Sequence, residues 1–416
     1  MIPYGWQQDE LGALVDFKSG GTPSKENPAY WGGDIPWISA KDLKKLFLDA
    51  AQINVTEEGS KNGARLVPPG TLLILVRGMT LLKDVPVAIA TVPLTFNQDI
   101  KALAPNKGVN GEYLAYFLAS RKSQLMNLVN QAGHGTGRLQ TDLLKSFPVL
   151  LPPTGLEQDE IAKVIHTWDR AIDLTERLIA AKRERRRWLM QQLLTGQRRF
   201  PRFTRSNEMR QTRYGTIPSD WKYPQIGEIA TGISLKNTTG SELPVLSCTK
   251  HHGLVDSLEY FGKRVFSKDL STYKIVRRAQ FAYATNHIDE GSIGYQDLYE
   301  EALISPMYTV FEAGEEVDDR FLFLLLKTEL YRHIFEVNTS ASVDRRGSLR
   351  WAGFAKIHIP LPPIDEQRAI IGAFELADRE LAKLNNQLDA LKNQKKGLMQ
   401  QLLTGKVRVK VPAGAA

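Results

Sequence analysis

Side chains that can hydrogen-bond to the edges of DNA bases are grouped at several places along the chain. Arg, Lys, Asn and Gln are the residue types that read guanine and adenine in the major groove. The candidates in the first half are Lys25, Tyr30, Lys41, Arg77, Lys83, Asn97, Gln98 and Arg138, and those in the second half are Lys236, Asn237, Lys250, His251, His252, Asn286, His287, Arg345 and Arg346. We interpret them as possible DNA contacts, with an ordinary surface role as the alternative for each.

Patterns for catalysis or metal binding are much weaker. The glycine-rich stretch Gly133–Arg138 lacks the Lys-Ser/Thr ending of a phosphate-binding loop. His251-His252 is the only adjacent histidine pair, and no acid or cysteine lies at metal-ligand spacing from it. No Ser/His/Asp group or carboxylate pair stands out. The sequence therefore predicts no catalytic residue, no metal site and no cofactor held by this chain.

One short motif points to a different chemistry. Asn27-Pro28-Ala29-Tyr30 resembles the Asn-Pro-Pro-Tyr loop that holds the target base in DNA amino-methyltransferases. No glycine-rich loop for S-adenosylmethionine follows a strand nearby, and the first thirty residues leave no room for such a domain before the motif. We therefore expect a chance match or a structural turn.

An internal repeat organises the chain. The eight residues Leu189–Gly196 occur again as Leu398–Gly405, at an offset of 398 − 189 = 209, about half of the 416 residues. The further echoes are Leu151-Pro152-Pro153 with Leu361-Pro362-Pro363, Glu157-Gln158 with Glu366-Gln367, and Ile2-Pro3…Trp6 with Ile217-Pro218…Trp221. The chain is therefore a tandem duplication.

The repeated segments predict two long helices, at 154–196 and 364–405. Pro-Pro suits the turn before a helix, Asp365 is a reasonable N-cap, and Gly196 and Gly405 lie where a left-handed C-terminal residue belongs. Spacing by 4 and 3 selects an apolar seam on each helix. The predicted seam residues are Ile161, Ile165, Trp168, Ile172, Ile179, Leu189, Ile370, Phe374, Leu381, Leu384, Leu388, Leu391 and Leu398.

Charge favours an antiparallel coiled coil of these helices, because each helix begins acidic and ends basic. Antiparallel pairing places Arg187 near Glu375 and Lys182 near Glu380. The alternative is that the two helices pack separately, each on its own domain.

The rest of each half predicts a mixed α and β domain, so the fold class is α+β. Apolar runs predict strands at 72–76, 85–90 and 149–151, and amphipathic spacing predicts helices at 111–128 and 319–337. Residues 197–214 carry six arginines and one acid, which favours a solvated hinge over a phosphate contact. The predicted segments are a recognition domain at 1–153, a helix at 154–196, a basic linker at 197–214, a second domain at 215–363, a helix at 364–405 and a tail at 406–416.

Composition limits the class of protein. Hydrophobic content of 42% and charged content of 24% are typical of a soluble globular protein, and no apolar run is long enough to cross a bilayer. The formal charge of +8 favours a polyanionic partner such as nucleic acid, with a basic protein lacking such a partner as the alternative. Met1–Trp6 shows no signal-peptide pattern, and the single Cys248 excludes an internal disulfide. We expect a cytoplasmic protein.

The two halves are most alike in the helices and least alike in the globular parts. A duplicated surface that stays the same should meet one type of partner twice, whereas a duplicated domain that diverges should meet two ligands. The helices are therefore predicted to dock two copies of one partner. The globular domains are predicted to read two different DNA half-sites whose spacing the helices set.

Nearly the whole chain resembles the DNA-specificity subunit of type I restriction–modification systems. The resemblance rests on the run Ser19–Ser24, the run Tyr30–Ser39 with Lys41-Asp42-Leu43, the Pro-Pro…Glu-Gln junctions at 152–158 and 362–367, and the two Leu-Leu-Thr-Gly helix ends. The second half departs from the pattern, because Thr231–Lys236 lacks the Gly-Gly-Thr-Pro and Tyr-Trp-Gly-Gly-Asp elements. The position of its DNA-reading loops is therefore open.

The resemblance implies two target-recognition domains that read a bipartite, asymmetric site and are separated by an antiparallel coiled coil. It implies two methyltransferase subunits around the helices, with restriction subunits as possible further partners and no membrane. S-adenosylmethionine would belong to the methyltransferase subunits, and ATP and Mg²⁺ to the restriction subunits. The rival hypotheses are a coiled-coil adaptor without DNA specificity and a stand-alone methyltransferase that uses Asn27–Tyr30.

Overall fold

The chain folds into two compact units. The structure is a computed structural model that describes residues 2–132, 135–339 and 347–411. Unit 1 comprises Met1–Arg177 and Asn385–Ala416, and unit 2 comprises Leu178–Leu384. Unit 1 therefore takes in both ends of the chain.

The first half of the chain forms thirteen described strands and six described helices. The strands are β1 (Gln7–Glu10), β2 (Val15–Ser19), β3 (Trp31–Ile38), β4 (Phe47–Leu48), β5 (Asn54–Val55), β6 (Leu72–Leu75), β7 (Arg77–Gly78), β8 (Val87–Ala90), β9 (Thr95–Phe96), β10 (Ile100–Pro105), β11 (Val129–Ala132), β12 (Thr136–Leu139) and β13 (Pro148–Leu151). The helices are α1 (Leu11–Leu14), α2 (Glu57–Lys61), α3 (Gly111–Ser120), α4 (Lys122–Met126), α5 (Thr141–Lys145) and α6 (Gly155–Leu194).

A five-stranded sheet in the order β2-β10-β6-β8-β4 is the centre of unit 1. Its middle strand β6 pairs antiparallel with β10 and β8, and all four of its side chains are fully buried. A strand covered on both faces has an unbroken apolar sequence, which is why this run is recognisable without structure. Two three-stranded sheets, β5-β3-β9 and β11-β12-β7, lie beside it.

The second half forms ten described strands and six described helices. The strands are β14 (Met209–Thr212), β15 (Gly215–Pro218), β16 (Ala230–Ile233), β17 (Val245–Thr249), β18 (Gly253–Asp256), β19 (Lys274–Arg277), β20 (Phe281–Ala284), β21 (Ile293–Tyr295), β22 (Glu301–Ile304) and β23 (Tyr308–Ala313). The helices are α7 (Ile226–Ile229), α8 (Ser257–Phe261), α9 (Asp319–Leu326), α10 (Glu329–Asn338), α11 (Trp351–Phe354) and α12 (Ile364–Leu402).

Unit 2 contains two four-stranded sheets, β16-β23-β20-β21 and β18-β17-β22-β19. The first is antiparallel throughout, and the second has one parallel pair, β17 with β22. The main core packs aromatic side chains of the first sheet against α9, α10 and α11, as in the stack of Phe281 on Phe311 with centroids 4.8 Å apart. The mixed α and β class predicted from the sequence is confirmed.

The predicted strands match β6, β8 and β13, but each predicted globular helix is broken in two. The segment 111–128 forms α3 and α4 with a break at Arg121, where ψ is 19°. The segment 319–337 forms α9 and α10, because the hydroxyl of Thr328 accepts a hydrogen bond from the Tyr331 amide and starts a new helix. Amphipathic spacing continues through both breaks, so periodicity does not reveal them.

The two long helices α6 and α12 each contribute one part to each unit. Every predicted seam side chain is buried or half-buried, whereas most neighbouring positions on these helices are exposed. Ile161 and Ile165 join the core of unit 1, and Ile370 and Phe374 join the main core of unit 2. Helix α12 begins at Ile364, so Asp365 lies in its first turn and is not the N-cap.

Ion pairs show that the helices run antiparallel within unit 1. Lys395 of α12 lies 2.5 Å from Asp169 of α6, and Lys392 lies 2.7 Å from Glu176. Moving forward along α6 therefore means moving backward along α12.

The same arrangement holds within unit 2. Lys182 lies 2.5 Å from Glu380, as predicted, and the guanidinium of Arg186 donates to Asp378 at 2.8 Å. The Asp378–Arg186 pair repeats the Asp169–Lys395 pair of unit 1, because 378 − 169 and 395 − 186 both equal 209. The duplication thus preserves this ion pair, although the basic residue is lysine in unit 1 and arginine in unit 2.

The predicted pairing of Arg187 with Glu375 is wrong. Arg187 pairs with Glu184 on its own helix, and Glu375 lies 3.5 Å from Arg320. Charge sign alone could not give the register, because several basic residues follow one another at this end of α6.

Each long helix is followed by a left-handed glycine that contacts a Pro…Trp opening. Gly196 has φ of 70°, and a Cβ there would lie 2.4 Å from the Pro218 ring. Gly405 has φ of 67°, and its Cβ would lie 2.6 Å from the Pro3 ring. Any side chain would clash, so the Thr-Gly endings and the Ile-Pro…Trp openings recur together.

The linker between the halves is folded and is not the solvated hinge that its composition favoured. β14 and β15 form an antiparallel hairpin, and Arg210 donates to the Trp221 carbonyl at 2.6 Å. Arg199 is buried and binds Glu366 and Asp220. Within the described ranges, no helix is both long enough and apolar enough to span a membrane.

Candidate nucleic-acid interface

Two of the predicted DNA-contacting arginines are direct neighbours in unit 1. In the small sheet β11-β12-β7, Arg138 is the cross-strand partner of both Asn130 and Arg77. Cross-strand partners project from the same face, and all three side chains are exposed. The opposite face carries the buried Leu139 and packs against the turn at Met79–Leu82.

This row of side chains lacks a balancing acid. Among the residues that the structure describes, no carboxylate pairs with Arg77 or Arg138. Like charges on facing strands destabilise a sheet unless something neutralises them. The guanidinium fork, which donates in a plane, fits a phosphate or the O6 and N7 acceptors of guanine.

The loop at Asn97–Asp99 lies beside this row. The amides of Val76 and Arg77 donate to the Asp99 carbonyl at 2.8 and 3.2 Å. Asn97 is 8% exposed, and its side-chain carbonyl accepts from the Asp99 amide, so it shapes the loop and is not available to a base. Gln98 is exposed and accepts a 2.7 Å hydrogen bond from the Thr22 hydroxyl. Of the two predicted residues, only Gln98 presents a usable surface.

The glycine-rich run near residue 20 brings a second loop to the same place. A Cβ on Gly20 would lie 2.3 Å from the Asn97 carbonyl oxygen, and Gly21 donates its amide to Phe96 at 2.9 Å. The indole of Trp37 donates to the Gly21 carbonyl at 3.0 Å. These residues hold two loops together through the backbone.

The other predicted residues of unit 1 are more dispersed. Lys25 is exposed and Tyr30 is half-buried. Lys83 is exposed and follows the turn that packs under β12. Lys41 lines a surface cavity of about 560 Å³ with further basic side chains and forms no ion pair among the described residues. The basic side chains in the lining of this cavity are Lys41, Lys44, Lys45, Lys122 and Lys395.

The Asn27–Tyr30 motif is a structural turn. The side-chain oxygen of Asn27 accepts from the Ala29 amide at 3.1 Å and caps a short 3₁₀ turn. The Tyr30 carbonyl accepts from the Thr56 amide. This agrees with the structural interpretation of the motif.

Two predicted polar loops of unit 2 are adjacent. The ammonium group of Lys327 donates to the carbonyls of Lys250 and Gly291, both at 2.8 Å. Burial lowers the pKa of Lys327. Lys250, His251 and His252 are exposed on one loop. Asn286 and His287 are half-buried and lie just before Gly291, in the second loop. His287 lies 3.2 Å from Glu290.

The remaining predicted residues of unit 2 contribute less. Lys236 is exposed, but Asn237 is 1% exposed. The Asn237 amide donates to the Ser241 and Leu270 carbonyls, and its oxygen accepts from Ser241, so it stabilises a loop and cannot read a base. Arg345 and Arg346 lie outside the described residues.

A neighbouring segment of unit 2 was missed by sequence reasoning. Leu258, Tyr260, Phe261 and Val265 are all at least 42% exposed. Tyr260 contacts Phe261 edge-on at 5.0 Å and the His252 ring at 5.6 Å. The segment Leu258–Lys268 also carries Lys263, Arg264 and Lys268. The available signal was this alternation of aromatic and basic residues, which the sequence shows without indicating exposure.

No described group of three or more His, Cys, Asp or Glu side chains is arranged to hold a metal ion. Among the described residues, the exposed predicted side chains of both units present cationic, amide and imidazole groups, and unit 2 adds an exposed aromatic segment.

Comparison with known proteins identifies the family. A family model described as the type I restriction modification DNA specificity domain matches residues 3–181 and 218–393. The specificity subunit of the type I restriction enzyme EcoR124I/EcoR124II of Escherichia coli is 32% identical over 161 residues, which cover 38% of this chain and 40% of that protein. The MjaVIII specificity subunit of Methanocaldococcus jannaschii is 23% identical, over 98% of this chain and 94% of that protein.

Solved structures agree at the level of the fold. The S subunit of a type I restriction–modification system from M. genitalium superposes with a TM-score of 0.53 at 15% identity, over 95% of this chain and 96% of that chain. The HsdS subunit from Thermoanaerobacter tengcongensis gives a TM-score of 0.52 at 16% identity, over 98% of both chains. The relatives are named specificity subunits, not methylases or endonucleases. Because the family model matches most of both halves, the protein belongs to the DNA-specificity family of type I restriction–modification systems.

Proposed function

We propose that this protein directs type I adenine methyltransferase subunits to a bipartite, asymmetric DNA target and is itself non-catalytic. The observation that carries the proposal is that the ion pair between the two long helices recurs in both units, whereas the exposed polar surfaces of the two units differ. The Asp169–Lys395 pair of unit 1 recurs as Asp378–Arg186 in unit 2. The exposed row Asn130–Arg138–Arg77 and the exposed aromatic segment at Leu258–Lys268 are unlike each other. Two different surfaces suit two different half-sites.

The duplicated helices support binding of one type of partner twice. Arg170 and Arg379 are both exposed and are separated by 379 − 170 = 209 residues. Gln191 and Gln400 are also exposed at the same offset, 400 − 191 = 209. Identical surface residues offer identical contacts to two copies of a partner. We assign these copies to two methyltransferase subunits, to which two restriction subunits can be added.

The cofactors belong to those partners in this proposal. S-adenosylmethionine would be bound by the methyltransferase subunits, and ATP and Mg²⁺ by the restriction subunits. This chain would supply the DNA contacts and the geometry, and the complex would act on DNA in the cytoplasm.

The long helices would set the distance between the half-sites. Helix α6 is continuous over 40 residues and takes part in both units. At 1.5 Å per residue its length is roughly 60 Å. Ion pairs to α12 in each unit restrain it. A restrained helix pair fixes half-site spacing as dimer geometry fixes operator spacing.

The decisive experiment is co-expression with the methyltransferase subunit in a host without adenine methylation, followed by long-read mapping of methylated adenines. We expect a split, asymmetric motif with one methylated adenine on each strand. The control is the methyltransferase subunit expressed alone, which should give no such motif. A stable complex without any methylated motif would instead favour the coiled-coil adaptor.

The stand-alone methyltransferase is a separate alternative. It would require the purified chain to bind S-adenosylmethionine by itself. The side chain of Asn27 is engaged in capping its own turn, which argues against a base-holding role. Calorimetric titration of the purified chain with S-adenosylmethionine tests this. Measurable binding would support the stand-alone methyltransferase.

A further inference from the structure

The small sheet of unit 1 carries an unusual row of side chains. Arg77 and Arg138 are direct cross-strand partners, and Asn130 continues the row on the third strand. All three side chains are exposed, and no described acid pairs with either arginine. We propose that this row reads guanine in the first half-site from the major groove, with Asn130 as a further specificity-determining residue. The inference rests on the proposed function and names the ligand of that site.

An external acceptor would stabilise the arginine pair. Two guanidinium groups on facing strands repel each other, and water only screens that repulsion. Guanine offers O6 and N7, which accept both arms of one guanidinium fork. A phosphate offers similar acceptors, so the chemistry is shared between a base and the DNA backbone.

The geometry favours bases over phosphates. Neighbouring strands lie about 4.8 Å apart, and a major groove about 12 Å wide admits two strands side by side, as β7 and β12 are. Side chains on adjacent strands can therefore reach neighbouring base pairs, which are about 3.4 Å apart. An asparagine in the same row adds the amide that pairs with adenine N6 and N7. A pure phosphate clamp would not need this amide.

The strands that carry this row are packed closely against the rest of unit 1. A Cβ on Gly137 of β12 would lie 2.6 Å from the Cβ of Leu81, so this strand packs closely on the turn beneath it. The Leu139 amide donates to the Val76 carbonyl at 2.9 Å, and Val76 lies next to Arg77. A closely packed strand restricts the orientation of the arginine guanidinium group. Base reading requires such a restricted orientation, whereas non-specific attraction to phosphates does not.

The test is methylation mapping with variants of the full chain in the methyltransferase complex. Arg138→Gln and Arg77→Gln each remove one fork, and Lys107→Gln is the control that removes one exposed charge outside the row. We expect a guanine in the first half of the wild-type motif. Each arginine variant should accept other bases at a single position, with discrimination reduced roughly 5- to 150-fold, while the second half stays unchanged. Asn130→Ala should relax a neighbouring position.

Three results would overturn the inference. The wild-type motif could lack guanine in its first half, or the arginine variants could keep the motif while methylation falls evenly at all sites, as a phosphate contact predicts. If the glutamine variants give no methylation, the binding of their complexes to duplexes that carry guanine or another base at that position decides. Equal loss of affinity on all duplexes indicates phosphate contact, and lost discrimination between the bases supports base reading. Failure of the proposed function itself would look different, because the wild-type complex would then methylate no split motif.

Discussion

The guanidinium of Arg199 donates two hydrogen bonds of 2.8 Å to the two carboxylate oxygens of Glu366. Both side chains are almost fully buried, and the hydrogen bonds raise the pKa of Arg199. The indole of Trp221 donates to the same carboxylate at 3.1 Å. In unit 1, Arg408 binds Glu157 in the same way, and both residues are displaced by 209 positions. Each helix start is thus held by the segment that follows the other helix.

We expect Glu366→Gln to destabilise unit 2 by roughly 3 kcal/mol, because it removes the buried, doubly bonded carboxylate partner of Arg199 and leaves only the more exposed Asp220. Urea unfolding of the purified chain measures the change. The matched control is Glu316→Gln, which removes an exposed partner of Lys222 and should cost less than about 1 kcal/mol. Equal effects of the two variants would show that the buried pair has no special role.

Charges placed in the helix seam should uncouple the two half-sites. Leu384 belongs to unit 2 and Leu388 to unit 1, and both are half-buried. We expect the double change to Glu to abolish bipartite methylation while each unit keeps its own unfolding transition. The control is Leu376→Glu on the same helix, where the side chain is 65% exposed. If the double variant still methylates the same split motif, the helices do not set the spacing of the half-sites.

The aromatic segment of unit 2 should matter for the second half-site only. We expect Tyr260→Ala or Phe261→Ala to weaken binding of the complex to its target by about 1–2 kcal/mol, because apolar contacts to thymine methyl groups would be lost. Fluorescence anisotropy with a labelled duplex measures this. Leu298→Ala removes a similarly exposed apolar side chain and serves as the control. If all three variants bind alike, the segment does not contact DNA.

DNA binding should depend steeply on salt. Neutralised phosphates release counterions, so the logarithm of the binding constant falls linearly with the logarithm of salt concentration. We expect Lys41→Gln to reduce that slope by about one and to leave the methylated motif unchanged, because Lys41 lines a cavity with four other lysines and a single acid, Asp84, which suits a phosphate contact. A flat salt response of the wild-type complex would contradict backbone contacts altogether.

The single thiol should be unreactive in the folded protein. Burial raises the pKa of Cys248 to about 12. At pH 8 its thiolate fraction is then roughly three orders of magnitude below that of an unfolded thiol with a pKa of about 8.5. We expect slow labelling by dithionitrobenzoate at pH 8 and rapid labelling in urea. Because the unfolded state ionises first, this group's contribution to stability is present below about pH 8.5 and is lost as the pH rises towards 12. Rapid labelling of the folded chain would contradict the burial of the thiol.

The duplication, the two long helices and the family could all be predicted from the residues alone. These features depend on local patterns, such as apolar spacing, proline before a helix and glycine after it, which can be recognised directly in the order of the residues. The pairing of Lys182 with Glu380 was also predictable from charge, because oppositely charged helix ends favour one direction.

Which polar residues face outward could be learned only from the folded chain. Asn97 and Asn237 have the same residue type as Asn130, yet the first two are buried and complete their own loops. Hydrogen-bond satisfaction depends on distant backbone groups that sequence spacing does not report. Arg77 and Arg138 likewise become neighbours through a strand pairing between residues separated by 138 − 77 = 61 positions. Contact between such residues is a property of sheet register, which forms only when the surrounding core packs.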